Sequence, residues 1–265
     1  MLGAIIGDIA GSRFEKNNIK SKDIKLFDKA CHFTDDSVMT LAVGKAILEC
    51  KGDYKKLPSL ATFYMQKLGR EYPNVGYGAK FYNWLKSARP QPYNSYGNGA
   101  GMRVSDCGVF ATSLDEAKML SRLVTEVSHN HEEGLKGAEA IAVAIYLAKN
   151  GKKIPQIRKY LSKNYYPLDF CLDDIREEYK FDVSCQGSVP YAIEAFLESN
   201  SFEDAIKNAI SIGGDSDTIA CMTGGIAEVY YGIPDNIRQQ AITYLDDNLS
   251  KLLHEIENGI KIVKK

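Results

Sequence analysis

Three stretches of this chain are apolar on more than one helical face, and they restrict the possible folds more than any other feature. They are Ser37 to Cys50, Glu133 to Lys149 and Thr218 to Tyr231, all rich in aliphatic residues. A helix apolar on most sides is buried on most sides, so these three are expected at the centre of the fold. Asn150-Gly151 supplies a stop for the second, and Gly232 and Pro234 break the third. Amphipathic segments with one apolar face surround them: Leu57 to Leu68, Leu114 to Val127, Val189 to Leu197, Phe202 to Ile212 and Asn236 to Ile256. Ser113 with Glu116 reads as a capping box, and Ser201 with Asp204 as a weaker one. Long alternating β-branched runs are missing, so strands should be few. No repeat, low-complexity tract or linker interrupts the pattern. The reading is all-α, a single domain over residues 1–265.

Composition narrows the function classes. A formal net charge of -1 does not suggest a protein that wraps nucleic acid or coats a membrane. It leaves room for one nucleotide-sized ligand. Leu2 to Ala10 is apolar, but no Lys or Arg precedes it and Asp8 interrupts it, unlike a secretory leader. No run approaches the ~20 apolar residues of a membrane span. The expectation is a cytoplasmic protein whose first helix is buried. The six cysteines form no C-x-x-C pair and are expected to be buried, reduced thiols.

Two acidic clusters stand just before two of the central helices, Thr34-Asp35-Asp36 and Asp215-Ser216-Asp217-Thr218. One Asp per cluster is explained as a helix N-cap. A second carboxylate and a threonine hydroxyl, present twice, are not. Like charges at a buried helix end repel and lose hydration, and a helix N-terminus returns only ~0.3–1 kcal/mol per exposed charge. A divalent cation would offset the rest. The donors are hard oxygens, which favours Mg²⁺ or Mn²⁺ over Ca²⁺, in one or two sites. Two separately capped helices, or solvated surface acids, account for the same spacing. Glu15 alone reads as a surface acid. If the first helix packs against the two others, it reaches the same pocket and suits a general base.

Glycine-rich stretches fall between helices: Gly7 to Gly11, Gly76-Tyr77-Gly78, Gly97 to Gly101 and Gly213-Gly214. Glycine lets backbone approach a ligand closely, and loops gathered around a site would use it so. Ordinary turns and tight helix packing use it too.

Taken together, Gly7-Asp8, Gly11-Ser12, Glu15, Thr34-Asp35-Asp36, Gly76-Tyr77-Gly78, Gly97-Asn98-Gly99 with Met102-Arg103, Ser128-His129-Asn130-His131 and Gly213 to Ala220 resemble the ADP-ribosylglycohydrolase family over nearly the whole chain. The resemblance implies a compact orthogonal bundle of many helices around a binuclear centre of two Mg²⁺ or Mn²⁺. It implies Thr34, Asp35, Asp36, Asp215, Asp217 and Thr218 as metal ligands, with Glu15 gating the site or assisting catalysis and Asp36 a second candidate base. Gly76 and Ser95-Tyr96-Gly97-Asn98 would meet the pyrophosphate and distal ribose, and His129 a phosphate or ribose. Tyr93 or Tyr96 would stack on adenine. One departure is Glu132, where many relatives carry proline after the second histidine.

The implied reaction is hydrolysis of the glycosidic bond between ADP-ribose and an acceptor, which is a modified protein side chain or a small-molecule conjugate. The alternatives are a metal-dependent nucleotide or dinucleotide phosphohydrolase, built on the same oxygen ligands, and a non-catalytic ADP-ribose-binding homologue.

Overall fold

The computed structural model describes residues 1–263. It holds α1 (Leu2–Ser12), α2 (Asp35–Cys50), a 3-10 turn (Tyr54–Lys56), α3 (Leu57–Glu71), α4 (Ala79–Lys86), α5 (Gly99–Met102), α6 (Ser105–Phe110), α7 (Leu114–Thr125) and α8 (Glu132–Lys149). There follow α9 (Ile154–Asn164), α10 (Leu172–Ile175), α11 (Cys185–Leu197), α12 (Phe202–Ser211), α13 (Ser216–Tyr231), α14 (Asp235–Ile242) and α15 (Asp247–Val263). Among the described residues the only β-pairing is an isolated antiparallel bridge between Gly97 and Ser184. The fold is all-α, as read from the sequence.

The three helices expected at the centre are α2, α8 and α13, and each is buried over most of its surface. α13 packs on α1, α8, α11 and α12, while α2 packs on α1, α3 and α15. All of α1 is buried, including Asp8. The contact of α1 with α13 is backbone against backbone. A Cβ on Gly7 would strike the carbonyl of Ala220, and one on Gly11 would lie 2.5 Å from the Asp217 Cα. Glycine spaced four apart on one helix face removes that obstacle, and the close approach carries Asp8 alongside Asp217. Gly7 to Gly11 is thus inside α1 and not a loop between helices.

Several boundaries differ from the sequence reading. Asn236 to Ile256 is two helices, because the Asp246 carboxylate accepts the Leu249 N–H at 2.9 Å and starts α15 afresh. α11 begins at Cys185 and not at Val189, since Ser184 Oγ accepts the Gly187 N–H at 3.0 Å and caps it. α4 and α9 were not anticipated. The capping boxes are half formed. Ser113 and Ser201 accept the N–H of Glu116 and Asp204, but those acids bond Thr112 and Asn200, one residue before the cap. Cys171 is exposed, at the mouth of the one-turn α10, and the other five cysteines are buried. No helix among the described residues is long and apolar enough to cross a membrane.

Candidate metal centre and ligand pocket

Both acidic clusters open helices, as their spacing predicts. Thr34 caps α2 in an extended conformation, its hydroxyl taking the Asp36 N–H at 3.3 Å, and Asp215 occupies the cap position of α13. Packing then joins the two helix starts. Thr218 Oγ1 donates to Asp36 Oδ2 at 3.2 Å, across 182 residues of sequence. Asp8, Asp36 and Asp217 each offer an oxygen within 4.8 Å of the others, and all three are buried.

Asp8 is the member that sequence reasoning left out of the ligand set. Its Oδ2 accepts the backbone N–H of Thr34 at 2.9 Å and of Ser37 at 3.0 Å, together with the Ser37 hydroxyl. Its Oδ1 accepts the Thr34 hydroxyl at 2.7 Å. Asp8 therefore clamps the first turn of α2 and fixes where Asp35 and Asp36 point. The available signal was an acid inside a run of residues with no other polar side chain, a place where charge is tolerated only if it is used.

Asp36 is the contrasting case. It is 2 % exposed, and its Oδ1 meets no hydrogen-bond partner. Burial first, then the neighbouring Asp8 and Asp35, pushes its carboxyl well above the usual carboxylate range. Burial and then Asp36 do the same to Asp217. Asp35 is pushed up to about 8 by burial and then Asp8, and burial likewise raises Asp8 and Asp215. The ion pairs of the described residues involve none of these five acids. Hard oxygens, an unpartnered buried carboxylate oxygen and no internal counter-charge fit a divalent cation.

Asp35, Asp36, Asp215 and Asp217 form one wall of a cavity of about 600 Å³, and Asp8 is not among its lining residues; the volume is within the usual size of a small-ligand site. Glu15, Thr34, Asp35, Asp36, Gly76, Ser95, Gly97, Asn98, His129, Asp215, Asp217 and Thr218 all line it. Glu15 follows α1 directly and is half-buried. Gly76, at φ +113, sits so close to Asp35 that a Cβ would lie 2.9 Å from its Oδ1. Asn98 joins the walls by donating to Asp215 Oδ2 at 2.6 Å.

Tyr93 lines the cavity, whereas Tyr96 is not among the lining residues; its half-exposed ring packs on His131, with centroids 5.1 Å apart. Sequence reasoning also missed Asn18. It accepts the Gly214 N–H at 2.7 Å and donates to the Gly214 carbonyl at 2.9 Å, holding the loop before α13.

A profile described as ADP-ribosylglycohydrolase matches residues 1–261. The chain belongs to the ADP-ribosylglycohydrolase family. It is accordingly a hydrolase of ADP-ribosyl glycosidic bonds. It is 26% identical over 337 residues to ADP-ribosylhydrolase ARH3 of Homo sapiens, covering 97% of this chain and 92% of that one. It is 24% identical over 266 residues to ADP-ribosylarginine hydrolase Tri1 of Pseudomonas putida (strain GB-1), covering 88% and 70%. A solved structure titled ADP-ribosylglycohydrolase-related protein complex superposes with a TM-score of 0.70 at 20% identity, over 98% of this chain and 95% of that one. In this member of the ADP-ribosylglycohydrolase family the acid cluster and the glycine-lined wall share one cavity.

Proposed function

We propose that this cavity binds the ADP-ribosyl group of a modified protein side chain or small-molecule conjugate and releases intact ADP-ribose, with two Mg²⁺ or Mn²⁺ ions held by Thr34, Asp35, Asp36, Asp215, Asp217 and Thr218. The observation that carries the reading is the Asp36 Oδ1, buried without a partner among the buried carboxylates of Asp8, Asp215 and Asp217 and the half-buried Asp35. Such ions would supply Lewis acidity and neutralise the mutual repulsion of these acids.

The chain's own groups divide the remaining work. Asp8 holds Thr34 and Ser37, and so sets the direction of Asp36. Glu15, on the cavity wall and half-buried, accepts a proton from the attacking water, with Asp36 the second candidate for that role. As the water oxygen bonds to the anomeric carbon, the bond to the acceptor breaks and its electron pair leaves with the acceptor, which is then protonated. Gly76, Ser95, Gly97, Asn98 and His129 form the surface facing the rest of the ligand, where backbone N–H groups suit phosphate oxygens. Six unpaired cysteines suit the reducing cytoplasm.

The test is a panel of ADP-ribosylated acceptors, arginine and serine conjugates among them, with products separated by chromatography. Intact ADP-ribose and free acceptor are expected. AMP as the product would indicate attack on the pyrophosphate and refute the glycosidic reading.

A further inference from the structure

Met102-Arg103 and Ser128-His129 belong to the motifs of this chain, and Arg103 and Ser128 bond to each other and not to the acid cluster. Arg103 is fully buried, lines the cavity and takes part in no ion pair among the described residues. Its Nη2 donates to Ser128 Oγ at 2.7 Å and lies 3.4 Å from His129 Nδ1. Ser128 Oγ in turn lies 2.9 Å from His129 Nδ1.

The direction of this chain is fixed by chemistry. A guanidinium only donates. The Ser128 oxygen accepts from it, and the same Nη2 faces Nδ1, where a ring proton would meet the guanidinium's own N–H; Nδ1 is therefore the acceptor that the serine proton reaches. An Nδ1 that accepts from Ser128 carries no proton. The neutral ring then bears its proton on Nε2. Nε2 faces the glycine wall, because a Cβ on Gly99 or Gly97 would lie 3.4 or 3.7 Å from it. The ring has little freedom to turn, being flanked by Phe81 and Tyr93 at centroid distances of 5.8 and 5.6 Å. Its backbone N–H is tied to the Thr125 carbonyl at 2.9 Å, and Arg103 Nη2 reaches the same carbonyl at 3.4 Å.

We infer that Arg103 is a positioning residue which, through Ser128, locks His129 as a neutral imidazole presenting Nε2–H to a phosphate oxygen of the ligand. The phosphate half of this rests on the ADP-ribose reading; the tautomer half does not. His129 is thereby a fixed hydrogen-bond donor and does not shuttle protons. Burial, and then the Arg103 charge, hold its basicity well below the usual histidine range, in keeping with that role.

The chain has only four histidines, so ring ¹⁵N–¹H correlation spectra of labelled protein can be assigned by single substitutions. The expected wild-type result is one neutral Nε2–H tautomer for His129, unchanged from about pH 8 to pH 5.5. A proton on Nδ1, or titration near the ordinary histidine value, overturns the proposal whether or not any substrate is turned over. In Ser128→Ala and Arg103→Met the tautomers should mix, with Arg103→Lys restoring part of the wild-type signature. Either folded variant keeping the wild-type spectrum overturns the relay. Saturating ADP-ribose should move the Nε2–H signal, and Ser128→Ala should raise KM about tenfold with a smaller change in kcat. Binding of ADP-ribose without movement of that signal overturns the phosphate contact, whereas no binding at all refutes the ligand reading and leaves the tautomer result to stand or fall alone.

Discussion

One wall of the cavity presents Asp35, Asp36, Asp215 and Asp217, with Asp8 buried beside them, and none of the five is ion-paired among the described residues. The other holds a buried guanidinium with no carboxylate, its Nε and Nη1 lacking partners. By contrast Glu194, almost fully buried, meets Arg158 at 2.5 Å. Arg103 is instead ion-paired with none of the cavity acids, and Asp215 takes its hydrogen bond from Asn98, a neutral amide. A pocket arranged this way is complementary to a ligand that is anionic on one side and brings, or is met by, cations on the other. ADP-ribose with divalent ions satisfies both walls, and neither wall alone would select it.

The largest effect should come from the acid wall. Asp36→Asn is expected to lower ADP-ribose release more than about 100-fold, beyond the usual effect of a residue that only orients a ligand. The same change removes a buried carboxyl whose ionisation burial and its acidic neighbours oppose, so in EDTA at neutral pH the variant should melt a few degrees above wild type. Lower stability in EDTA, with near-normal turnover, would mean that Asp36 is an ordinary structural acid. Next is Asp8→Asn, which keeps the shape but cannot accept four hydrogen bonds. Activity at limiting Mn²⁺ should fall about 10- to 100-fold and recover in part at high Mn²⁺; equal activity at all concentrations would remove Asp8 from the site.

On the donor wall effects should be smaller and fall on binding. His129→Ala is expected to raise KM about tenfold while kcat changes less, as for a lost hydrogen bond to a charged group. A kcat collapse with unchanged KM would make His129 an acid or base and break the distinction between the walls. Smallest is a pH effect on stability. The folded state refuses a proton that the unfolded His129 takes up near 6.5. Stability is therefore lost as pH falls through that value, by about 1.4 kcal/mol per unit below it. His129→Phe should lose less than wild type between about pH 7 and pH 5 in denaturant titrations. Parallel losses would show that the imidazole charges freely.

Local signals made part of this legible in the sequence. α2, α8 and α13 announced themselves by apolar residues on several faces, and Thr34 and Asp215 by standing just ahead of two of them. The clamp by Asp8 reaches 26 residues along the chain to Thr34, and the bond of Asn98 to Asp215 spans 117. Contacts of that range leave no periodicity behind. The break between α14 and α15 was hidden for another reason, since Leu245 and Leu249 continue the apolar pattern across it while Asp246 ends one helix and caps the next. Arg103 was visible as a residue in a motif, but its role depends on which atoms of Ser128 and His129 it meets.

The measurement closest to the central claim is ADP-ribose release by EDTA-stripped protein as Mn²⁺ is returned. The account predicts no release without metal, saturable recovery on adding Mn²⁺, and no recovery in Asp36→Asn. Full release of ADP-ribose in EDTA would contradict it, because the five acids would then have to do their work unassisted.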